Sequence, residues 1–177
     1  ANTLKYLTGQ PVIAINPDPE RWDGKLLPFE ISDLEQALKR TIDDKSACKT
    51  ITFAEARSND GQRMLAVNDL FIGPKSHTSA RYTLNWNGAS EVQSSSGIIV
   101  STGFGSTGWF QSILAGAMAI SGSSTHELLD GFDWDEARLQ FSVREPFPSR
   151  TTGISQVFGT ITPSRPLQLE SLMPEGG

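Results

Sequence analysis

Apolar and polar residues alternate in blocks along the chain, and the spacing of the blocks changes near residue 45. Before this point, residues 1–7 have helical spacing, and residues 11–16 form a short apolar run that is typical of a buried parallel strand. Ser32 then precedes an apolar stripe of helical spacing in residues 34–42, so we expect Ser32 to cap a helix there. This part of the chain predicts the end of an α/β domain.

After residue 45 the apolar runs have the periodicity of strands. Two turn sequences, Asn59-Asp60-Gly61 and Asn87-Gly88, separate runs that we expect to pair as hairpins. A helix of mostly small and apolar residues follows a glycine-rich turn and reaches about Ile120. Strands are predicted over residues 50–54, 63–72, 79–86, 97–101, 139–143, 156–161 and 167–169.

Together these elements predict an α+β fold that is mainly β. Residues 1–30 are interpreted as the remnant of an amino-terminal α/β domain, and residues 31–177 as a mainly β domain with one embedded helix. Ser94-Ser95-Ser96 is interpreted as a polar turn. The chain begins without Met and ends in a turn-like sequence, so we expect both termini to be cut edges of a larger protein.

Composition excludes several classes of protein. The 177 residues contain 15 basic and 20 acidic side chains, a net charge of −5, and no Lys/Arg cluster for neutralising nucleic-acid phosphates. The single cysteine, Cys48, cannot form an internal disulfide, which favours a cytoplasmic protein. No apolar run approaches the roughly 18 residues of a membrane span. His77 and His126 lack Cys or Glu at ligand spacing, so we predict no metal site.

The glycine-rich segment 101–109 lies between a predicted strand and a predicted helix. Glycines allow the backbone to approach a ligand closely, and the amides at the start of a helix favour an anion or a polar edge. Ser106 and Thr107 add hydroxyls within this segment. Its G-x-G-x-x-G pattern also leaves open a nicotinamide-dependent oxidoreductase, or a tight turn that serves packing alone.

Asn68 and Asp69 interrupt an otherwise apolar run. Adjacent polar side chains at such a position need partners. A carboxylate accepts hydrogen bonds from both hydroxyls of a ribose diol, and the Asn amide bonds a ligand carbonyl or hydroxyl. The alternative is an edge strand or bulge where water solvates both side chains. We expect Asn68-Asp69 and Ser106-Thr107-Gly108-Trp109 to converge in space.

These motifs, in this order, resemble those of the NAD kinase family. Asn68-Asp69 falls at the position of the family's Asn-Glu pair, and residues 97–109 resemble its Ser-Thr-Pro-Thr-Gly-Ser-Thr-Ala-Tyr block. Residues 11–16 resemble its Pro-Val-Leu-Gly-Ile-Asn strand, and Arg165-Pro166-Leu167 its late Arg-Pro-Leu. The resemblance spans nearly the whole chain and implies a β-sandwich-like carboxy-terminal domain.

The resemblance also implies an activity, the ATP-dependent phosphorylation of the adenosine 2′-hydroxyl of NAD, with Mg²⁺ on the ATP phosphates. The catalytic base would be the Asp of a Gly-Gly-Asp-Gly loop upstream of Ala1, so no catalytic residue is expected in this chain. Asn68 and Asp69 would hold a ribose. The other substrate-binding residues would be Ser106, Thr107, Gly108, Trp109 and Ser112.

Four departures from the family pattern leave the identity of the phosphate acceptor open, and a sugar is one candidate. Asp69 stands for Glu, Trp109 for Tyr, Ser96 for Asp, and Gly103-Phe104 for Pro-Thr. A non-catalytic nucleotide-binding or assembly domain on the same fold is the alternative function. We also expect a homo-oligomer, a dimer or a tetramer, because a strand-rich fragment leaves sheet edges exposed.

Overall fold

A computed structural model describes residues 2–173 and divides the chain into two compact units, Ala1–Thr50 and Ile51–Gly177. The predicted domain boundary after residue 30 stays a prediction, whereas the two compact units divide at Thr50. No helix within residues 2–173 is long and apolar enough to cross a membrane.

The first unit contains little regular structure. A 3₁₀ helix spans Asn2–Tyr6, a second spans Ile31–Asp33, and helix α1 spans Leu34–Ile42. The helix was predicted, but its cap was not: Ser32 lies inside the second 3₁₀ helix, and Asp33 Oδ2 accepts a hydrogen bond from the Glu30 amide at 2.8 Å.

The predicted strand over residues 11–16 is wrong. Only an isolated parallel bridge forms there, between Ile15 and Phe29. Prolines at both ends of the run remove backbone donors. Beyond it, the Asn16 side chain holds a turn, accepting from the Asp18 amide at 3.2 Å and donating to the Trp22 carbonyl at 2.8 Å. The chain therefore bends away before a ladder extends.

Within residues 51–173, the second unit contains nine strands in three antiparallel sheets, together with helix α2 over Trp109–Ser121. One sheet is the hairpin β1-β2. The second has four strands in the order β3-β6-β7-β8, and the third has three strands in the order β5-β4-β9. The strands are β1 Ala54–Arg57, β2 Arg63–Ala66, β3 Asp69–Ile72, β4 Ala80–Trp86, β5 Ala89–Ser95, β6 Ile98–Ser101, β7 Leu139–Val143, β8 Phe158–Ile161 and β9 Gln168–Ser171.

The two larger sheets pack face to face around the main core. Leu84 and Tyr82 of β4 meet Val100 of β6 and Phe141 of β7 in one buried apolar cluster. Because successive side chains of a strand point to opposite faces, the four-stranded sheet has a second face. Helix α2 packs on that face, where the fully buried Phe110 ring lies 6.2 Å from Phe158. The mainly β fold with one main helix agrees with the sequence prediction.

Both predicted hairpin turns are confirmed. Asn59-Asp60-Gly61 joins β1 to β2. Asn87 and Gly88 join β4 to β5, each with positive φ, 53° and 78°, as a two-residue type I′ turn requires.

Three other predictions for this unit are wrong. The strand predicted over residues 50–54 begins only at Ala54, because the Thr52 amide donates to the Trp134 carbonyl at 2.7 Å rather than to a neighbouring strand. Residues 63–72 form two strands rather than one, because the chain leaves the β1-β2 hairpin at Val67-Asn68 and enters the four-stranded sheet. Ser94 and Ser95 belong to β5 rather than to a turn. Ser95 is buried there because its hydroxyl is bonded to the Tyr82 hydroxyl at 2.8 Å.

Candidate functional site

Thr102 joins Asn68 to the glycine-rich segment, so the two predicted motifs lie together. The Thr102 amide donates to the Asn68 carbonyl at 2.9 Å. Its hydroxyl donates to the carbonyls of Val67 and Asn68 at 2.5 and 3.0 Å, and accepts from the Gly105 amide at 3.0 Å. Asn68 thus contacts the start of the glycine-rich segment, and from residues 106–109 the Trp109 ring lies beside Phe71, which shares β3 with Asp69.

Close backbone packing requires two of the glycines. A Cβ atom on Gly105 would overlap the backbone of Asn68, and one on Gly103 would overlap the backbone of Asp133. Glycine is needed where backbones approach this closely. These two glycines therefore hold the segment against its neighbours, which is the packing role that the sequence pattern left open.

Asn68 and Asp69 present two buried oxygens in need of partners. Within the part of the chain that the structure describes, Oδ1 of Asn68 and Oδ1 of Asp69 are both buried and neither has a hydrogen-bond partner. Burial raises the pKa of the Asp69 carboxyl, and a hydrogen bond from the Ser101 hydroxyl offsets this only in part. Buried polar atoms in native proteins are nearly always bonded, so the pair is suited to receive donors from a ligand.

Asp69 begins a row of polar side chains that crosses the four-stranded sheet. Register places Asp69 opposite Ser101, Ser101 opposite Gln140, and Gln140 opposite Thr160. Their strand neighbours Leu70, Val100 and Phe141 belong to the sandwich core, so the row lies on the face that carries α2.

A hydrogen bond links two members of this row, since Thr160 Oγ1 donates to Gln140 Oε1 at 3.2 Å. The Ser101 hydroxyl donates to the Thr102 carbonyl at 3.2 Å and also lowers the pKa of the adjacent Asp69 carboxyl. Ser101 and Gln140 are almost completely buried. Sequence reasoning did not single out Ser101, Gln140 or Thr160. The signal was present, because each lies next to a residue of the sandwich core in its strand, namely Val100, Phe141 and Ile161.

The hydroxyls of Ser106 and Ser112 are bonded to the protein backbone. Ser106 is fully buried, donates to the Gly103 carbonyl at 2.7 Å and accepts from the Phe132 amide at 3.1 Å. Ser112 is exposed and donates to the carbonyls of Gly108 and Trp109 at 3.3 and 2.9 Å. Ser106 therefore holds the loop, and Ser112 closes the first turn of α2.

Thr107, Gly108 and Trp109 are the more accessible members of the predicted set. Thr107 is half-buried, Gly108 is exposed immediately before α2, and Trp109 is 42% exposed. The Trp109 ring lies 5.5 Å from the Phe71 ring, and the Arg144 guanidinium lies 5.3 Å from its centre. Sequence reasoning missed Phe71 and Arg144, which come next to Trp109 only through the sheet.

A cleft of about 300 Å³ opens beside this aromatic pair. Its lining includes Phe71, His77, Ser96 and Arg144. Ser96 is the residue that stands where the related motif has Asp. The cleft therefore shares Phe71 and Arg144 with the surroundings of Trp109.

The candidate site has no set of metal ligands. No group of three or more His, Cys, Asp and Glu side chains within residues 2–173 is arranged to hold a metal ion. At the candidate site, the neighbour of the Asp69 carboxylate is the Asn68 amide and not another His, Cys, Asp or Glu side chain.

Comparison with known proteins gives similarity of fold. The chain matches no protein family model and no curated protein. It is similar to solved structures, among them yeast NADH kinase complexed with NADH, with 18% identity and a TM-score of 0.56 over 82% of this chain. The chain spans 37% of the length of that kinase. At this identity the likeness shows the fold alone, and that fold is the β-sandwich-like architecture of the NAD kinases.

Proposed function

We propose that this chain binds a dinucleotide, NAD, as part of an NAD kinase-like phosphotransferase. The observation that carries the proposal is the pair of buried, unpartnered oxygens on Asn68 and Asp69. They lie beside a glycine-rich segment whose far end presents Trp109. The fold similarity to a kinase solved with NADH supports the same ligand class.

A ribose diol suits these two oxygens. Its hydroxyls are hydrogen-bond donors, and the two Oδ1 atoms are acceptors. Burial already makes the Asp69 charge costly, as its raised pKa indicates, so donated hydrogen bonds from a ligand would stabilise the carboxylate. Thr107, Gly108 and Trp109 would line the adenosine end, where the Trp109 indole remains 42% exposed.

Catalysis would need more than this chain. Phosphoryl transfer depends mainly on positioning and charge stabilisation, and the role of Asn68, Asp69 and the glycine-rich segment is to bind rather than to abstract a proton. In the full-length protein, we propose, a base from a Gly-Gly-Asp-Gly loop activates the adenosine 2′-hydroxyl of NAD and ATP donates the phosphate. Mg²⁺ would screen the ATP phosphates.

The test is isothermal titration of NAD and NADH into wild type, Asp69→Asn and Asp135→Asn. Asp135 is exposed, so its variant is a matched control for loss of one charge. Loss of a charged hydrogen-bond acceptor costs about 1.5–3 kcal/mol, so we expect Asp69→Asn alone to lower affinity by roughly 10- to 100-fold. Equal affinity in all three proteins would remove Asp69 from the site.

Activity assays separate the kinase from its alternatives. We expect the isolated chain to form no NADP from NAD, ATP and Mg²⁺, and the full-length protein to form it. Since Asn68 and Asp69 suit any vicinal diol, a sugar is the second candidate acceptor and belongs in the same assay. Binding without turnover of any acceptor by the full-length protein would instead favour a non-catalytic nucleotide-binding domain.

We further propose a cytoplasmic homo-oligomer, a dimer or a tetramer. The four-stranded sheet has edge strands at β3 and β8, and the three-stranded sheet at β5 and β9, and unpaired edges favour association. Light scattering at high concentration tests this. A single species at the monomer mass of 19.2 kDa would contradict it.

A further inference from the structure

The cleft beside Trp109 has the dimensions of a small-ligand subsite. Its volume of about 300 Å³ lies at the lower end of the range for small-molecule sites, roughly 300–1,000 Å³. The loop between β3 and β4 forms one side, and Ser96 and Arg144 form another. All of these residues belong to the second compact unit.

Backbone pairing fixes Ser96 and Arg144 relative to each other. The Ser96 amide donates to the Arg144 carbonyl at 2.9 Å, and the Arg144 amide donates to the Gly97 carbonyl at 2.8 Å. The Arg144 guanidinium also lies over the Trp109 ring, at 5.3 Å. A cation held by its backbone and by an aromatic face has little side-chain freedom left to lose on binding.

The groups that line the cleft are suited to an anion. Arg144 supplies guanidinium N–H donors, His77 supplies an imidazole, and the other polar lining groups are the hydroxyls of Ser76, Thr78 and Ser96. None of these described lining residues is acidic. A planar guanidinium matches a phosphate in two-pronged geometry, and hydroxyls complete its hydrogen bonds.

Glu145 is an acidic competitor for Arg144. One of its carboxylate oxygens lies 3.5 Å from Arg144 Nη2, and the Glu145 side chain is 63% exposed. An exposed pair at this distance is weak. The remaining N–H groups of Arg144 are therefore left to face an anion in the cleft.

We propose that this cleft binds a phosphate group, and that this phosphate belongs to the nucleotide bound at Asn68 and Asp69. This inference rests on the proposed function. Phe71 lines the cleft and lies two residues beyond Asp69 on the same face of β3, so this wall of the cleft begins roughly 7 Å from Asp69 along the strand. A nucleotide with its sugar at Asp69 would extend past Phe71 to place its phosphate beside Arg144.

The direct test uses inorganic phosphate and amide NMR. Titration should shift the amides of Ser96, Gly97 and Arg144 saturably in wild type, and should leave them unmoved in Arg144→Gln. Arg150→Gln, which removes the charge of an exposed arginine, is the matched control and should behave as wild type. Ser96→Asp should also abolish the shifts, because it adds a negative charge to the lining while leaving Arg144 on Trp109.

A second arm compares adenosine with AMP, which differ by one phosphate. Calorimetry should show AMP binding about tenfold more tightly in wild type, and equal binding of both in Arg144→Gln and Ser96→Asp. If phosphate shifts the amides, adenosine does not bind and AMP binds no more tightly than phosphate, the subsite stands and the proposed function fails. If adenosine and AMP bind equally and phosphate leaves the amides unmoved, nucleotide binding stands and the subsite is overturned.

Discussion

Replacing Asp69 by Asn should make the folded protein more stable and should weaken its binding of the ligand. Asn keeps the shape of the side chain and removes the charge. The Asp69 carboxylate has a buried oxygen with no partner among the described residues, and burial raises its pKa. The native fold therefore holds this charge at a cost that a ligand, and not the protein, would offset.

The size of the gain follows from the cost of an unpaired buried group. Leaving such a group unsatisfied costs about 1–3 kcal/mol. The Asn amide still needs partners, so we expect Asp69→Asn to raise the free energy of unfolding by about 1–2 kcal/mol at neutral pH. For a chain of this size, that corresponds to a rise of roughly 2–8 °C in Tm.

The gain should depend on pH in a definite direction. Because the pKa of Asp69 is raised above its ordinary value of 3.8, the folded protein holds this proton more tightly than the unfolded chain. Wild-type stability therefore falls as pH rises from the unfolded pKa through the folded one. Below pH 3.8 both states are protonated, and the advantage of Asp69→Asn should shrink.

Urea denaturation followed by circular dichroism, at neutral pH and at about pH 3, measures both effects. Asp135→Asn, at an exposed position, should change stability by less than about 0.5 kcal/mol. A less stable Asp69→Asn at neutral pH would refute the reasoning, because it would mean that the carboxylate is already satisfied within the fold.

Two further substitutions beside the site and one in the sandwich core can be tested by urea denaturation. Gly105→Ala should lower the free energy of unfolding by about 1–3 kcal/mol, because its Cβ would overlap the Asn68 backbone. Gly116→Ala, which has open space in α2, should raise the free energy of unfolding by about 0.5–1 kcal/mol. Equal effects of the two substitutions would contradict this reasoning. Thr102→Val should cost about 1–3 kcal/mol and weaken NAD binding, since its hydroxyl bonds Val67, Asn68 and Gly105; unchanged stability would exclude that role. Tyr82→Phe should cost about 1–2 kcal/mol through lost hydrogen bonds to Gln93 and Ser95, and Tyr6→Phe, 77% exposed, should cost almost nothing.

Local patterns were sufficient to predict much of the second unit. Alternation located β4 and β7 to within one residue, and turn chemistry located the hairpin at Asn87-Gly88. The juxtaposition of Asn68-Asp69 with the glycine-rich segment was also predicted, from two polar interruptions of apolar runs. These features depend on neighbours in sequence, where periodicity and turn preference act.

What was missed depends on contacts between distant segments. Nothing local marks Val67-Asn68 as the point where the chain changes sheets, because the bonds that fix it come from Thr102. The position of Arg144 over Trp109 follows from the pairing of β6 with β7. Likewise, the stripe of residues 34–42 predicts a helix correctly but not that Leu38 and Ile42 remain exposed.

The row of polar side chains across the four-stranded sheet has a consequence for the order of folding. Its members, Asp69, Ser101, Gln140 and Thr160, come from four separate segments and meet only through strand register. Pairings between distant segments form slowly, because loop closure precedes the contacts that reward it. A shift of any strand by one residue would turn its polar side chain into the sandwich core. The refolding protein should therefore acquire its ligand affinity late and in a single step. Nucleotide binding would then report that all four strands have reached their native register.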